Sequence, residues 1–424
     1  MQIRSTLTGV LAGESMNTHE LLLARQPILD ARLSIVGYEL LCRPVPEDTQ
    51  EWQLSHGDRA TSEVLISAFN DLGIEDVTEG KPAFINFTTH WLHQPPIIPS
   101  LNMVAELLEH IEITPENLQA LEELRTHGYQ VALDDYTGNP QQEALFPLVD
   151  IIKVDIRQLP TLDLLDTMIR QYEKYGLTWL AEKVETREEY ERCKAAGCTL
   201  FQGYFFSRPA NVYGRRLPDN AVAVLNLMQT LNKPDADISD IAEVIQSDPQ
   251  LSYKLLKIIN SAAIGYAREV TSIAQGIMIA GLNRLKAWAN LIALGRLQNK
   301  PVALREQAVV RAHLAKSLAL QMPELDADTA FTLGLFSLLD AFLDQPMETI
   351  CDKLHLPETL RRALLERYGD YGFILNTTIS MEQADWDSID WEVLKGISLV
   401  PADVEMQYLQ ALQTSRQILA TTAA

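Results

Sequence analysis

The sequence is poor in the features that mark secreted, membrane-spanning and polynucleotide-binding proteins. It contains only four cysteines in 424 residues, and no His or Cys partner gives them the spacing of a zinc site. No apolar run approaches the roughly 20 residues that a membrane helix needs. The net charge is −22, whereas a broad nucleic-acid surface needs clustered Lys and Arg. These absences predict a cytoplasmic protein with reduced thiols, no membrane segment and no direct binding of a nucleic-acid polymer.

Length and patterning divide the chain into segments. A chain of 424 residues is too long for one ordinary core, so we expect two domains. Organised sequence begins near Leu21, which leaves open whether Met1 or Met16 is the true start. The expected segments are a disordered or leader-like N-terminus over 1–19, an α/β domain over 20–209, a linker over 210–220 and an all-helical domain over 221–424.

Short apolar runs alternate with amphipathic segments through the first domain, as in parallel strands joined by crossover helices. Eight candidate strands predict a TIM-like (β/α)8 barrel, in which functional groups lie at the C-terminal strand ends. The short spacer Asp30-Ala31-Arg32 predicts a hairpin between the first two strands. The candidate strands are 21–24, 33–41, 83–87, 103–107, 130–133, 151–154, 178–181 and 200–205, and the clearest candidate helices are 60–72, 117–127, 162–175 and 187–196.

A polar side chain stands at or just after the C-terminal end of nearly every candidate strand. Glu39 is the clearest case, because a carboxylate inside an apolar run is costly to bury unless it is paired or bound to a metal. Any one such residue is more often a helix cap or a salt-bridge partner, so the repetition carries the signal. A cluster of oxygen ligands favours Mg²⁺ or Mn²⁺ over zinc, and two such ions can promote phosphoester hydrolysis. The residues are Glu39, Asn86, Glu106, Asp134, Asp135, Lys153, Asp155, Glu182 and Gln202.

The same residues lie in longer strings that match one family. The strings are Gln26-Pro27-Ile28, Gly37-Tyr38-Glu39-Leu40-Leu41-Cys42-Arg43, Ile85-Asn86-Phe87-Thr88, Glu106-Leu107-Leu108-Glu109, Leu133-Asp134-Asp135-Tyr136, Ile152-Lys153-Val154-Asp155, Ala181-Glu182-Lys183-Val184-Glu185-Thr186 and Phe201-Gln202-Gly203-Tyr204-Phe205-Phe206-Ser207-Arg208-Pro209. Together they resemble the EAL family of cyclic-di-GMP phosphodiesterases over about residues 20–209.

The resemblance implies hydrolysis of cyclic di-GMP to linear pGpG with Mg²⁺ or Mn²⁺. It also implies a role for each matching residue. Glu39, Asn86, Glu106 and Asp134 would bind a first metal ion, and Asp134 with Asp135 would bind a second. Lys153 and Glu182 would position and activate the water. The implied substrate-binding residues are Gln26, Arg43 and Gln202, of which Gln202 also completes the metal shell.

The chain departs from the family pattern at three points. The Ala of the signature is Leu40, and Lys183 stands where the family usually has Gly. The residues 136–140 replace a Phe-Gly-Thr-Gly-type loop that orders the metals and the dimer contact in the family. A misplaced loop can shift a carboxylate by about 1 Å, which is enough to lower the rate roughly a hundredfold. Two interpretations therefore stay open: a phosphodiesterase, or a catalytically inactive receptor or scaffold acting through protein–protein interaction, with homodimer formation undecided.

The second domain has helical periodicity and a second resemblance. Asp248-Pro249 predicts a helix start, and Ser272 is expected to precede one long helix through Trp288. Further helices are expected over 303–321, 329–343 and 403–419. The strings 248–252, 255–262 and 272–277, with Gly281-Leu282, resemble the HDOD domain.

The HDOD resemblance implies a regulatory or interaction module that binds unidentified signalling proteins. Such domains look like HD-type phosphohydrolases that lack the His-Asp metal ligands. This sequence agrees, because beyond His127 only His313 and His355 remain, and neither is followed by Asp. The whole chain therefore resembles an EAL–HDOD two-domain signalling protein.

Overall fold

The computed structural model describes residues 21–44, 74–95, 103–108, 111–208, 219–233, 238–260, 270, 272–297, 300–354 and 356–423. The expected N-terminal segment over 1–19, the candidate helix over 60–72 and most of the linker over 210–220 lie outside these residues.

Eight strands close into a barrel in sequence order, which confirms the predicted (β/α)8-type fold. The first strand runs antiparallel to both of its neighbours, and the other pairs are parallel. The antiparallel pairing of the first two strands confirms the predicted hairpin. The strands are β1 (Leu21–Asp30), β2 (Ile35–Pro44), β3 (Ala83–Phe87), β4 (Met103–Leu107), β5 (Gln130–Leu133), β6 (Ile151–Asp155), β7 (Thr178–Glu182) and β8 (Leu200–Phe201).

Short helices follow several of the strands, and the helix after β7 begins at a capping threonine. Thr186 accepts a hydrogen bond from Glu189 N at 3.1 Å, and the Glu189 carboxylate accepts one from Thr186 N at 3.0 Å, which is a capping box. The helices are α1 (Ile74–Thr78), α2 (Thr89–His93), α3 (Pro115–Thr126), α4 (Asp163–Gln171) and α5 (Arg187–Ala196), with 3₁₀ turns over Pro140–Leu148, Glu173–Tyr175 and Phe205–Ser207.

The side chains inside the barrel follow the two-residue period of the strands. Apolar residues from six strands form a cluster separate from the surrounding core, and Gly37 of β2 makes room for one of them, since a Cβ there would lie 2.9 Å from Phe84 Cε2. Two residues further along β3 to β7, polar side chains replace the apolar ones. The apolar cluster is Ile28, Phe84, Val104, Ala132, Ile151 and Leu180, and the polar positions after it are Asn86, Glu106, Asp134, Lys153 and Glu182.

The described part of the second half is helical and contains no strand, as predicted. The helix expected from Ser272 through Trp288 is in fact two helices, because Gly281 has φ +84° and interrupts the helical backbone. The helices are α6 (Asp219–Leu231), α7 (Ile238–Gln246), α8 (Pro249–Ile259), α9 (Ile273–Ala280), α10 (Leu282–Gly295), α11 (Val302–Ala319), α12 (Ala327–Phe336), α13 (Leu339–Leu343), α14 (Met347–Leu354), α15 (Glu358–Glu366), α16 (Gly369–Glu382), α17 (Trp391–Gly396) and α18 (Pro401–Ala423), with a 3₁₀ turn at Trp386–Ser388.

The helical half packs against the barrel at the hairpin strands. Arg25 of β1 is buried there, with its guanidinium 4.2 Å from the ring centroid of Tyr38 on β2. The same guanidinium forms an ion pair with Glu306 of α11, and its second carboxylate partner is Glu79, at 3.2 Å. Tyr38 Oη donates a hydrogen bond to Glu306 at 3.2 Å. A residue of α11 thus bonds directly to the strand that carries Glu39.

Two carboxylates share one guanidinium at this contact. Glu79 also pairs with Lys81 Nζ at 3.1 Å, whereas Glu306 is 7% exposed. Burial raises the pKa of Glu306 to about 7, against the attraction of Arg25. We therefore expect the contact between the two halves to depend on pH.

Replacing Glu306 with Gln should change how stability depends on pH. The ordinary carboxyl pKa is 4.5 and the folded value is about 7. Between these pH values the folded wild type keeps a proton that the unfolded chain has released, so its free energy of unfolding falls as the pH rises. Because Gln cannot take up this proton, the wild type should lose roughly 3 kcal/mol relative to Glu306→Gln across that range. Urea unfolding at about pH 5, 6, 7 and 8 measures the difference. Parallel pH curves for the two proteins would contradict this account.

Candidate functional site

The Lys153 ammonium lies at the centre of the barrel mouth. Its side chain is fully buried, and its Nζ atom is within 3.6 Å of carboxylates that lie in, or directly after, four separate strands. The nearest oxygen of each lies at 2.6 Å for Glu106, 2.9 Å for Asp134, 3.0 Å for Glu182 and 3.6 Å for Glu39. One cation therefore neutralises part of a cluster of four acids.

Strand register sets this convergence. Asn86 of β3 is the Cα partner of Glu106 on β4, so the half-buried amide lies beside that carboxylate. Gln26 of β1 is the partner of Glu39 on β2. Because neighbouring inward positions in a barrel lie side by side, polar residues on successive strands must meet at one end.

Two amides close the cluster between the last strand and the first. Gln202 Nε2 donates to Glu39 Oε2 at 2.5 Å and to Gln26 Oε1 at 3.0 Å. The next residue, Gly203, has φ +139°, and a Cβ there would lie 2.1 Å from Val184 O. Only glycine fits this close approach, which holds the chain after β8 against the chain after β7. Glu182 and Gln202 are thereby fixed relative to each other.

The charges in the cluster shift one another's pKa values. Burial raises the pKa of Glu182 to about 8 and that of Glu106 well above its ordinary value, although Lys153 opposes both shifts. Burial alone would lower the pKa of Lys153, but the carboxylates, led by Glu106, raise it well above its ordinary value. The lysine is therefore a permanent cation here.

A second, neighbouring cluster contains Asp135. Gln158 Nε2 lies 3.4 Å from Asp135 Oδ1 and 3.3 Å from Asp155 Oδ2, so it bridges the two acids. Lys183 Nζ lies 2.7 Å from Asp155 Oδ2. Both Asp135, at φ 46°, and Lys183, at φ 53°, have left-handed backbone conformations that side-chain-bearing residues adopt rarely. Sequence reasoning had noted Lys183 only as a departure from the family pattern, and it had missed Gln158.

The loop over 136–140 is anchored at its first residue. Tyr136 N donates to Lys153 O at 3.0 Å, and its fully buried ring packs on Phe146 with centroids 5.3 Å apart. At the other end, the Asn139 side chain accepts a hydrogen bond from Gln141 N at 3.1 Å and caps the 3₁₀ turn that begins at Pro140. The backbone after the two aspartates is thus held against β6.

Most of the predicted site residues meet at this mouth, although their roles stay predictions. The main cluster brings together four carboxylates and the lysine, and Asn86, Gln202 and Gln26 border it. Asp135 lies in the neighbouring cluster instead. Arg43 is in β2, but its side chain is outside the described residues. The carboxylates and lysine of the main cluster are Glu39, Glu106, Asp134, Lys153 and Glu182.

The donor set of the main cluster fits a hard divalent cation. Its donors are carboxylate and amide oxygens, which Mg²⁺ and Mn²⁺ prefer. Glu106 Oε2 and Gln202 Oε1 are buried and accept no hydrogen bond from the described residues. As arranged, however, no group of three or more His, Cys, Asp or Glu side chains in the described ranges is poised to hold a metal ion, and Lys153 Nζ lies where the carboxylates converge. The predicted second-ion position fits less well, because Lys183 already pairs with Asp155 beside Asp135.

Two protein-family models and several known proteins match this chain. The EAL domain family model matches residues 13–209, and the HDOD domain family model matches residues 217–343. The uncharacterized protein YuxH of Bacillus subtilis is 34% identical over 407 residues, or 93% of this chain and 98% of that protein. The chain belongs to the EAL–HDOD family.

Another relative of this EAL–HDOD protein is the cyclic di-GMP phosphodiesterase CdgJ of Vibrio cholerae, 32% identical over 93% of this chain and 92% of that protein. The crystal structure of Bacillus subtilis YkuI, a protein with an EAL domain in complex with cyclic di-GMP and calcium, is 19% identical. It covers 54% of this chain and 72% of that chain, with a TM-score of 0.36. Among the described helices of the EAL–HDOD protein, none has the length and apolar character to cross a membrane.

Lys153→Met should destabilise the barrel more at high pH than at low pH. Without the ammonium, four carboxylates face one another, and breaking a buried ion pair costs about 3–5 kcal/mol. Burial raises the pKa values of Glu106 and Glu182, so their protonation relieves the repulsion and the loss should shrink as the pH falls from about 8 to about 5. Urea unfolding in the presence of a chelator measures the free energy of unfolding of the wild type and of the variant at both pH values.

Lys194→Met is the matched control for this variant. Lys194 is a surface lysine whose ammonium donates to Ala31 O at 2.9 Å, and its loss should cost less than about 1 kcal/mol at either pH. If Lys153→Met is destabilised equally at both pH values, charge repulsion is not the cause of its loss.

Proposed function

We propose that this protein binds cyclic di-GMP at the barrel mouth and hydrolyses it to linear pGpG in a metal-dependent reaction. The observation that carries the proposal is the convergence of four carboxylates on the buried Lys153 ammonium, bordered by amides from β1, β3 and the end of β8. The relation to a Vibrio cholerae protein named a cyclic di-GMP phosphodiesterase, over 92% of its length, supports the substrate.

The residues around the mouth have complementary roles in this proposal. A bound Mg²⁺ or Mn²⁺ would polarise the phosphodiester and lower the pKa of a water molecule. The residues that would hold it are Glu39, Asn86, Glu106 and Asp134.

Lys153 and Glu182 would act on the water and on the phosphate. The ammonium donates hydrogen bonds to the water or to a phosphate oxygen, and it stabilises the negative charge that develops there. In its ionised form Glu182, 3.0 Å from Lys153 Nζ, accepts the proton of the water as the water oxygen bonds to phosphorus. The bond from phosphorus to the leaving 3′-oxygen breaks, and that oxygen takes a proton from solvent water to become the free 3′-hydroxyl. Gln26, Arg43 and Gln202 would bind the nucleotide.

The second candidate is a catalytically inactive receptor or scaffold. One observation favours it: two lysines lie among or beside the acids that a two-metal enzyme would use. Lys153 lies among the first-ion ligands, and Lys183 lies beside the second-ion ligands. In this case the barrel binds ligand or a protein partner without turnover, and the helical half passes the signal on.

Turnover by the purified full chain distinguishes the two candidates. Cyclic di-GMP should be converted to pGpG with Mn²⁺ or Mg²⁺ present, and Glu39→Ala should lower kcat/KM by about a hundredfold or more. Asp163→Asn removes an exposed carboxylate on α4 and should leave the rate unchanged. Chromatography of the nucleotides measures the reaction, and calorimetry run alongside measures binding. Turnover that survives Glu39→Ala would contradict the assignment to this site, whereas binding without turnover would establish the receptor.

The helical half is proposed to regulate this site as well as to bind signalling partners. Gln26, which is bonded to Gln202 at the mouth, has its amide nitrogen 3.4 Å from Gln383 O and 3.3 Å from Tyr204 Oη. Tyr204 Oη in turn donates to Glu382 O at 3.4 Å. A bidentate ion pair with Arg311 of α11, at 2.8 and 2.9 Å, fixes the Glu382 carboxylate. A shift of α11 or α16 would therefore reach Glu39 through few bonds.

Tyr204→Phe should change turnover by about threefold to tenfold, because it removes one hydroxyl that links the two halves, a bond worth about 1 kcal/mol. Tyr190→Phe removes a similar hydroxyl, bonded to Ala31 O at 3.0 Å, and should leave turnover unchanged. Steady-state kinetics on the full chain compares them. Wild-type rates for Tyr204→Phe would show that this route does not couple the halves.

One further part of the proposal concerns the cellular setting. Cyclic di-GMP signalling operates inside the cell, so the protein is proposed to act in the cytoplasm. The cysteines at 193, 198 and 351 are buried and free, as expected in a reducing compartment.

A further inference from the structure

Lys183 stands in a backbone conformation that suits glycine better than lysine. Its φ of 53° lies in the left-handed region, where a residue with a side chain costs of order 1–3 kcal/mol. The residue follows Glu182 directly and lies two positions before Glu185 in the EAL-like string where glycine is usual. A strained residue at the edge of a functional cluster calls for a compensating interaction.

The compensating interaction is with acids. Lys183 Nζ lies 2.7 Å from Asp155 Oδ2, and the Asp155 carboxylate is only 3% exposed. Gln158 Nε2 joins Asp155 to Asp135, so the ammonium and the Asp135 carboxylate belong to one cluster. The carboxylates of Asp135 and Glu182 also attract this ammonium. A single positive charge thus lies among three acids beside the main site.

A stabilising ion pair that only holds the loop in place does not account for the position of Lys183. The Lys183 side chain is 60% exposed, and an ion pair with one exposed member contributes at most about 1 kcal/mol. That gain is no larger than the backbone cost, so replacing the lysine by glycine would remove the strain at little loss. The arrangement makes sense if the charge itself is what the cluster needs.

We propose that the Lys183 ammonium takes the place of a second divalent cation beside Asp135 and Asp155, so that the barrel mouth holds one metal ion. This inference rests on the proposed metal-dependent function. Lys183 is then a positioning residue: it neutralises the acids that flank Glu182 and keeps their side chains in place, while the single ion binds in the main cluster.

Counting bound Mn²⁺ in the chelator-treated full chain tests the inference without relying on activity. The wild type should bind one ion per chain by calorimetry and give the electron paramagnetic resonance signal of an isolated ion. Lys183→Gly should bind two, with the altered spectrum of two ions about 3.5–4 Å apart. Because glycine relieves the left-handed strain, this variant is expected to fold. Lys183→Arg keeps the cation and should bind one.

Each outcome separates the inference from the proposed function. Two ions in the wild type would overturn the inference and leave the proposed hydrolysis intact. One ion in both the wild type and Lys183→Gly would also overturn it, since the lysine would not be what excludes the second ion. No bound ion in the wild type would overturn both the inference and the metal-dependent reaction.

Discussion

The Lys153 ammonium is the charge on which the barrel mouth depends. Four carboxylates converge at the mouth, and their mutual repulsion would be severe without a positive group among them. The fold supplies that group from β6, in the middle of the parallel strands, and buries it completely. The same charges therefore govern the stability of this barrel and its affinity for any charged ligand, because a ligand that enters the mouth changes the balance between the ammonium and the carboxylates.

Much of this arrangement could be predicted from the sequence because its signals are local. Strands β3 to β7 lie within one residue of their predicted bounds, since apolar runs bounded by polar residues mark short buried strands. The polar residue at each strand end was equally visible. The barrel then brings these ends together, so the meeting of most predicted site residues at one mouth followed from strand topology.

What the sequence could not give is distance and long-range pairing. It did not reveal that Lys153 lies among the carboxylates rather than beside them, because this depends on how the closed sheet staggers its strands. It did not separate Asp135 from Asp134, although they are adjacent in the chain, because the left-handed turn at Asp135 directs it elsewhere. The contact between Arg25 and Glu306 joins residues 281 positions apart, and no local pattern foretells such a pair.

Two neighbouring residues of strand β1 serve two different sites of the molecule. Gln26 borders the barrel mouth, while its neighbour Arg25 belongs to the contact with α11. Successive residues of a strand point to opposite faces, so a single-residue deletion in this hairpin would exchange the two. The guanidinium would then enter the mouth, and the amide would take its place beside Glu306. Insertions and deletions should therefore be tolerated in the outer loops of this protein but not in the hairpin, where a change in chain length moves each side chain to the opposite face.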